Sequence, residues 1–434
     1  MRKNKVDIIT LGCSKNLVDS EQLMYQFRKN GYTVAHDPEK VNGEIVIVNT
    51  CAFIGEAQEE AINLIVGMEE AKKKGRIGQL YVMGCLPERF MEDLQRELPL
   101  VDRFYGKFNW NELLGDLGKS YYGASATDRI LTTPGHYAWL KISEGCDRTC
   151  SYCSIPLITG KYRSRPMEEI LLEARSLTDK GVRELQLIAQ DLTCYGLDLY
   201  KKTVLPELVE RLSELPGVDW IRLHYGYPAG FPLDLLRVMR ERENVCRYLD
   251  IALQHISDHM LHRMRRNITK QDTFRLIEQI RREVPDIHLR TTLMVGHPGE
   301  TERDFEELVQ FVKDIRFERM GAFAYSHETG TYAWEHYRDD IPDGVKHERL
   351  DCLMRVQEGI ALEWNEAQRG KTFKTIVDRE EEDYYIGRTE FDSPEIDPEI
   401  LISKDRELTP GQFCHVRIEA VQAFELYGKA IKLA

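Results

Sequence analysis

The sequence GCDRTCSYC, residues 145–153, holds the thiols of Cys146, Cys150 and Cys153 within eight residues. It follows the apolar segment AWLKIS, residues 138–143, so we expect a loop at the end of a strand. Three thiolates with the spacing C-x3-C-x2-C can bind one metal centre, but they cannot all pair as disulfides. Structural zinc normally takes four protein ligands, whereas three cysteines leave one iron of a four-iron cluster free to bind a small molecule. We therefore interpret this loop as an iron–sulfur site.

A zinc site that lacks a fourth cysteine is the alternative for this loop. Asp147 or His136 would then complete the ligand set. Zinc motifs usually contain paired C-x2-C elements, and the spacing of this loop therefore favours the iron–sulfur site.

The motif, followed by a repeated strand–helix pattern, resembles the radical S-adenosylmethionine (SAM) superfamily. The resemblance implies that the open iron of a [4Fe-4S] cluster chelates the amino and carboxylate groups of SAM. It also implies that an electron from the cluster cleaves SAM to a 5′-deoxyadenosyl radical, which abstracts hydrogen. Tyr152 matches the aromatic position that lies beside the adenine in that family.

Composition places the chain among multidomain globular proteins. Its 434 residues are enough for two or three domains, and its 42% hydrophobic and 30% charged residues are ordinary shares. No apolar run is long enough to span a bilayer, and MRKNKVDIITLGC at the N-terminus has too short an apolar stretch for a signal peptide. We therefore expect a cytoplasmic protein without membrane contact, whose ten cysteines are ligands or buried thiols rather than disulfides.

The overall charge bears on the choice of partner. The chain has 59 Lys and Arg against 72 Asp and Glu, a net charge of −13. A surface that coats nucleic acid needs concentrated positive charge, which this total does not favour, although a local basic patch could exist within it. An acidic surface suits a basic protein partner.

Residues 1–120 read as an open parallel α/β sheet. The strands VDIIT, EIVIVNT and LYVMG alternate with helices expected from Asp19, Gly55 and Pro87. One cysteine follows each strand, and the carboxyl ends of parallel strands converge on one crevice, so three distant thiols become neighbours. Buried small side chains are the alternative for single cysteines, but three in equivalent loops indicate a second cluster site. These cysteines are Cys13, Cys51 and Cys85.

Residues 121–133 are predicted to be a linker, and residues 134–365 a second strand–helix series. Six units fit an incomplete (βα)6 barrel of the TIM type, whose chemistry lies at the carboxyl ends of its strands. The predicted strands are 138–143, 184–190, 219–225, 248–255, 287–296 and 319–326.

Polar side chains occur at or near the ends of these strands. Arg290 and Thr292 alternate along one strand, so they share a face. In the radical SAM superfamily such positions hold the carboxylate, ribose and adenine of SAM, although a polar residue there can also simply cap the next helix. The candidate SAM contacts, besides Tyr152, are Gln190, Arg222, Gln254, Arg290 and Thr292.

The tail, residues 366–434, alternates apolar and polar residues between turn signals at Ser393-Pro394 and Pro410-Gly411. This pattern predicts a small antiparallel β-barrel of the oligonucleotide-binding type. The tail resembles a TRAM domain, a module that often binds RNA. It has ten Lys and Arg against fifteen Asp and Glu, whereas an RNA-binding domain is expected to be basic.

The segments LGCSKNLVDSE, NTCAF and GC-x-P-E-R resemble the N-terminal domain of the methylthiotransferases, and with the central motif and the tail the resemblance covers nearly the whole chain. It implies an auxiliary [4Fe-4S] cluster on Cys13, Cys51 and Cys85, hence two clusters in all. It also implies that SAM serves both as methyl donor and as radical source, so that a methylthio group joins a carbon radical.

The methylthiotransferases divide by substrate into two classes. One modifies the β-carbon of an aspartate on small-subunit ribosomal protein S-twelve, and the other forms 2-methylthio adenosine in tRNA. LGCSKNLVDSE, HYAWLKISEGC and AYSHETGTYA look like the ribosomal-protein class, and the acidic tail agrees because ribosomal proteins are basic.

We therefore expect the TRAM domain to bind S-twelve or the small ribosomal subunit, tRNA to be a less favoured partner, and a flavodoxin or ferredoxin to supply electrons. An iron–sulfur electron-transfer or scaffold protein without substrate chemistry is the alternative from another class. Such a protein would not need a barrel with polar strand ends.

Overall fold

A computed structural model describes residues 1–123 and 127–433. The N-terminal part is a five-stranded sheet with the order β2-β1-β3-β4-β5, in which every pair of neighbours is parallel. Apolar side chains pack on both faces of this sheet, which explains why its central strands are nearly continuous apolar runs. Its elements are β1 Arg2–Thr10, α1 Ser14–Lys29, β2 Thr33–His36, β3 Gly43–Thr50, α2 Gly55–Lys73, β4 Gln79–Gly84, α3 Cys85–Glu97, β5 Arg103–Tyr105 and α4 Trp110–Asp116.

The open parallel sheet agrees with the prediction, but two helices begin earlier than predicted. Helix α1 begins at Ser14 rather than Asp19, and α3 begins at Cys85 rather than Pro87. Pro87 lies in the first turn of α3, where the missing N–H has no partner to lose. Cys13 and Cys85 therefore stand directly at helix starts.

The central part is a six-stranded parallel sheet with the order β13-β12-β11-β10-β9-β6, so β6 and β13 form its two edges. This is the predicted incomplete barrel. Its elements are β6 Tyr137–Lys141, β7 Ser143–Glu144, α5 Ile155–Thr159, β8 Arg163–Ser164, α6 Met167–Asp179, β9 Glu184–Ile188, a short 3-10 turn Leu192–Cys194, α7 Leu197–Tyr200, α8 Leu205–Ser213, β10 Trp220–Gly226, α9 Asp234–Glu241, β11 Val245–Ile251, α10 Asp258–Arg263, α11 Lys270–Glu283, β12 His288–Val295, α12 Glu302–Ile315, β13 Arg319–Ala324, α13 Tyr332–His336 and α14 Asp343–Glu366.

The predicted linker, residues 121–133, has neither helix nor strand in its described residues, and residues 124–126 of it lie outside them. It is anchored by Arg129, whose side chain is 1% exposed and pairs with Glu21 at 2.9 Å and Glu173 at 2.7 Å. These pairs join the N-terminal part to the central part, since Glu21 lies on α1 and Glu173 on α6.

The C-terminal part is a closed barrel with the strand order β14-β15-β16-β18-β17. The prediction of an antiparallel barrel holds for four of its pairs, but β16 and β18 run parallel. Five strands that alternate in direction around a closed ring must leave one parallel pair, because five is odd. The strands are β14 Thr372–Glu380, β15 Tyr384–Thr389, β16 Glu399–Ser403, β17 Phe413–Val421 and β18 Glu425–Leu433.

This C-terminal barrel lies against the amino ends of the central strands. Arg388 of β15 reaches Glu184, the first residue of β9, at 2.8 Å, and Asp392 reaches Arg319, the first residue of β13, at 2.6 Å. The C-terminal barrel therefore leaves the carboxyl ends of the central strands open, and the N-terminal part lies on that side. No helix within 1–123 or 127–433 has the length and apolar character needed to cross a membrane.

Candidate functional site

The loop with Cys146, Cys150 and Cys153 leaves the short strand β7 and is shaped by Gly145. Gly145 has φ +80°, and a Cβ there would collide with the carbonyl oxygen of Lys161, so no larger residue fits. The loop is closed by hydrogen bonds from the Cys146 N–H to the Gly160 carbonyl and from the Cys153 N–H to the Cys150 carbonyl, both 3.2 Å. All three thiols are half-buried.

The surroundings of these thiols fit iron ligands. Burial raises the pKa of Cys146 to about 11 and also raises that of Cys153. Backbone N–H groups of Arg148 and Ile155 point at the two sulfurs and favour their thiolates. Hydrogen bonds to sulfur are a feature of iron–sulfur sites, and an iron bound there would hold each sulfur as thiolate.

Arg266 and Tyr227 surround the middle cysteine. The Arg266 guanidinium is buried and donates from Nη1 to Cys150 Sγ at 3.3 Å and to the Tyr152 hydroxyl at 3.1 Å. The Tyr227 hydroxyl lies 3.7 Å from Cys150 Sγ. A fixed positive charge thus stands beside a sulfur that would be anionic when iron is bound.

The second group of thiols lies at the carboxyl edge of the N-terminal sheet. Cys13 is the cap of α1, Cys51 follows β3, and Cys85 begins α3. The strands β1, β3 and β4 that lead to them are adjacent in the sheet. At Gly12, with φ +93°, a Cβ would lie 2.6 Å from the Cβ of Cys51, so glycine is needed for the two cysteine loops to approach.

The three thiols of this second group differ in their charge environment. Burial raises the pKa of Cys51, and it raises that of Cys85 to about 12. Cys13 differs because it is exposed. Loss of hydration opposes its ionisation, but Lys15, Lys107 and the backbone N–H groups of Asn16 and Lys15 outweigh this effect and lower the pKa of the thiol. Cys13 is therefore the thiol of the group that ionises most readily.

No three His, Cys, Asp or Glu side chains of the described residues lie close enough to hold one metal ion, as the zinc alternative would require. A four-iron cluster instead binds each thiolate through a different iron, so its cysteines stand farther apart. Both cysteine groups fit such a cluster by their donor type and their backbone N–H contacts.

The two cysteine loops face each other across the contact between the N-terminal and central parts. Ser154, next to Cys153, donates from Oγ to the carbonyl of Phe53 at 3.2 Å. Phe53 follows Cys51 by two residues. Two metal groups held by these loops would therefore share one space between the domains.

Three of the predicted SAM contacts lie near the Cys150 side of this space. Gln254 has φ +70°, and its N–H donates to the Thr292 carbonyl at 2.8 Å, which places the two residues side by side. Arg266 connects Tyr152 to the Ala252 carbonyl, two residues before Gln254. The side chains of Gln254 and Thr292 make no hydrogen bond to the rest of the described chain, so both can serve a ligand.

Gln190 belongs to a buried charge network beside the second cysteine group. Its Nε2 donates to Glu144, while its Oε1 is buried without a partner among the described atoms. Glu144 also accepts from Lys141 at 2.8 Å and lies 3.3 Å from Lys107 of the N-terminal part. Burial opposes ionisation of Glu144, but the two lysines prevail and lower its pKa to about 2.

Arg222 and Arg290 have different surroundings from those predicted. Arg222 is fully buried near the amino end of β10, where its guanidinium pairs with Glu184 at 2.9 Å and donates to the carbonyl of Glu390 at 2.6 Å. Arg290 lies between Asp250 at 3.4 Å and Asp397 at 3.3 Å. Their strands bring both arginines to the C-terminal barrel, so we leave them out of the proposed SAM site.

Three residues near the thiols were missed in the sequence, namely Arg266, Lys107 and Glu144. Arg266 lies 116 positions after Cys150 in the chain, and only the path of the backbone between β11 and α11 brings it back to the cysteine loop. Glu144 directly precedes GCDRTC, and its place beside the motif was the one available signal.

Family models match three successive parts of the chain. The model of the radical SAM superfamily matches residues 140–312, and that of the TRAM domain matches residues 370–431. The model named uncharacterized protein family UPF0004 matches residues 5–106, which include all three cysteines of the second group.

Relatives match over the full length. The chain is 72% identical to the ribosomal protein uS12 methylthiotransferase RimO of Parabacteroides distasonis, over 99% of this chain and 100% of the relative. It is 65% identical to the enzyme of the same name from Porphyromonas gingivalis, over 99% and 100%. Among solved structures, the radical SAM methyltransferase TsrM of Kitasatospora setae shares the fold, with a TM-score of 0.53 at 15% identity over 74% of this chain and 75% of that one. The chain therefore belongs to the RimO family of ribosomal protein uS12 methylthiotransferases, within the radical SAM superfamily.

Proposed function

We propose that the protein attaches a methylthio group to the β-carbon of an aspartate in ribosomal protein uS12, with SAM as both methyl donor and radical source. The observation that carries this proposal is the 72% identity to a uS12 methylthiotransferase along the whole chain. The two facing cysteine groups support it, because this reaction needs one site for radical formation and one for sulfur. We therefore favour uS12 over adenosine in tRNA and over a scaffold protein.

In this proposal each cysteine group holds one [4Fe-4S] cluster. Cys146, Cys150 and Cys153 hold the first and leave one iron open, and the second group, Cys13, Cys51 and Cys85, holds the other. When bound, the first cluster supplies the electron that cleaves SAM, and the second carries the sulfur to be transferred.

The chain's own residues position the reactants. Tyr152, Gln254 and Thr292 are the proposed SAM contacts, because they lie together beside Cys150 with polar atoms available. The hydrogen bond from the Ser154 hydroxyl to the Phe53 carbonyl ties the two cysteine loops together. Because these residues fix the two loops and SAM, the reacting carbon of SAM, the sulfur and the substrate carbon can lie close to one another.

We further propose that the C-terminal barrel contributes to binding of uS12 or the small ribosomal subunit. Support comes from the exposed acidic run Glu380–Asp383 at the turn between β14 and β15, since an acidic patch attracts a basic protein. Glu380 and Glu381 already pair with Lys404 and Arg379, so the available charge is mainly that of Glu382 and Asp383. Reversal of these two charges to lysine should weaken uS12 binding at low salt, and unchanged affinity would argue against this contact.

An electron donor of the flavodoxin or ferredoxin type completes the proposed reaction. The proposed compartment is the cytoplasm, because six thiols that bind iron need a reducing environment.

Mass spectrometry of uS12 and of tRNA from cells that lack this protein tests the function most directly. We expect the methylthio group to be lost from the uS12 aspartate while tRNA stays unchanged. Loss of 2-methylthio adenosine from tRNA instead would contradict the proposal.

A further inference from the structure

Lys15 is a buried lysine that pairs with no carboxylate of the described residues. Only 7% of the Lys15 surface is exposed, and its Nζ lies 3.3 Å from the centroid of the Tyr225 ring. It forms no ion pair or hydrogen bond with any described side chain. The other buried lysines of the described residues all pair with carboxylates; they are Lys107, Lys141 and Lys346.

The ammonium lies in the space between the N-terminal and central parts. Lys15 is in the first turn of α1, and α1 packs on the inner face of the partial barrel, where Val18 contacts Trp139. Tyr225 is the next-to-last residue of β10. It has φ +60° at an irregularity in the strand pairing, and its ring faces Lys15 of α1. Lys15 follows Cys13 by two residues, and its charge acts on that thiol.

An isolated charge in such a place is costly unless a partner of opposite sign joins it. The face of a tyrosine ring offers a weaker attraction than a carboxylate does. A ligand with a carboxylate that enters this space would therefore gain a charge-assisted hydrogen bond that no described side chain provides.

We propose that Lys15 binds the side-chain carboxylate of the target aspartate in uS12. This inference rests on the proposed function and adds to it the residue that recognises the substrate. The carboxylate is bonded to the β-carbon that receives the methylthio group, so an ammonium that holds it fixes the position of that carbon. Because Lys15 stands next to Cys13, it would hold this carbon on the side of the second cysteine group.

The test is equilibrium binding of two fluorescent peptides to the reconstituted enzyme without reductant. One peptide spans the modified aspartate of uS12, and the other has asparagine in its place, which keeps the shape and removes the charge.

The protein variants are K15M and K15Q, which remove the charge of Lys15, and K15R, which retains it. K29M is the matched control, because Lys29 is an exposed lysine at the far end of the same helix. Iron content is measured for every variant.

We expect the wild type and K29M to bind the aspartate peptide at least about tenfold more tightly than the asparagine peptide. K15M and K15Q should bind both peptides equally, and K15R should keep part of the preference. A preference that persists in K15M and K15Q would overturn the role of Lys15. A preference that is lost only together with iron would overturn it as well, because the loss would then follow from the second cysteine group and its cluster. A wild type that binds neither peptide would overturn the uS12 assignment itself.

Discussion

Single buried side chains hold the cysteine loops in position. Arg266 satisfies three acceptors at once, since it contacts Cys150 Sγ, the Tyr152 hydroxyl and the Ala252 carbonyl. Arg148, which is partly exposed, contacts two side chains: it pairs with Asp191 at 2.7 Å and donates to Cys194 Sγ at 3.1 Å. Cys194 is thus a neighbour of the cluster loop, although no spacing pattern connects it to Cys146.

We expect His288 to make the stability of the protein depend on pH. Its ring stacks on Phe391 at 3.8 Å between centroids, its Nδ1 is buried without a partner, and burial lowers its pKa well below 6.5. The folded state keeps this histidine neutral, whereas the unfolded chain takes up a proton below about pH 6.5. The stabilising contribution of the neutral histidine should therefore be complete above that pH. As the pH falls below it, the free energy of unfolding should decrease by about 1.4 kcal/mol per pH unit because of this group.

The variant H288F should remove this contribution while keeping the ring contacts. Urea unfolding followed between about pH 5 and pH 8 would show a shallower decrease in stability for H288F than for the wild type below about pH 6.5. The control is H347Q, since His347 is exposed on α14. Equal pH dependence of H288F and the wild type would contradict the expected role of His288.

At the scale of elements, strand β15 and the residues after it join the C-terminal barrel to the central sheet through buried ion pairs. Arg388 is 1% exposed and contacts Glu184 at 2.8 Å and Asp378 at 2.5 Å. Asp392 pairs with Arg319, and Asp397 accepts from the Tyr248 hydroxyl at 2.8 Å. These contacts cover the amino ends of the central strands, so the proposed site lies at the opposite, carboxyl ends.

Replacement of Arg388 by methionine should destabilise the protein by about 3–5 kcal/mol, because two carboxylates would stay buried without their partner. The matched control is R379M on the neighbouring strand β14. Arg379 is 47% exposed and pairs with Glu399 and Glu381, so its loss should cost less than about 1 kcal/mol. Similar unfolding free energies for R388M and R379M would show that the buried pairs do not stabilise this contact.

The sequence predicted the sheets better than it predicted the side chains at their ends. Strand positions follow from apolar runs and turn residues, and the three main sheets were found in this way. Arg222 and Thr292 are both polar residues on predicted strands. Arg222 contacts the C-terminal barrel, whereas Thr292 lies beside Gln254. The two residues differ in their position along the strand and in the domain that covers the nearer strand end. A local sequence pattern shows neither of these.

The acidic character of the tail is a similar case at the scale of the molecule. Its net negative charge was interpreted as a surface for a basic partner. Asp378, Asp392 and Asp397 are instead buried against arginines or His136, so part of this charge serves contacts within the protein. A count of charges cannot distinguish the two uses, because the partner arginines lie far away in the sequence.

For the whole molecule, the proposed function requires that two domains hold their cysteine loops against each other. Arg89 of α3 crosses this contact with a side chain that is 3% exposed. It pairs with Glu328 of the central part at 2.9 Å, and it donates to the carbonyls of Ala52 at 2.7 Å and Thr329 at 2.9 Å. Ala52 directly follows Cys51, so Arg89 links one cysteine loop to the central part.

The variant R89M should loosen this link without removing a thiol. We expect it to cleave SAM at a rate near that of the wild type but to form at least about tenfold less methylthiolated uS12, because the two sites no longer keep their mutual position. The control is R96M, since Arg96 lies on the same helix, is 67% exposed and has only surface partners. Equal losses of cleavage and of product in R89M would contradict this coupling.

The central claim is that two cysteine groups perform two separate steps. Its most direct test is to measure 5′-deoxyadenosine and methylthiolated uS12 in parallel, under anaerobic conditions, for two triple variants. With Cys146, Cys150 and Cys153 replaced by alanine, neither product should form. With Cys13, Cys51 and Cys85 replaced by alanine, 5′-deoxyadenosine should still form and methylthiolated uS12 should not. Full formation of methylthiolated uS12 by the second variant would contradict the account.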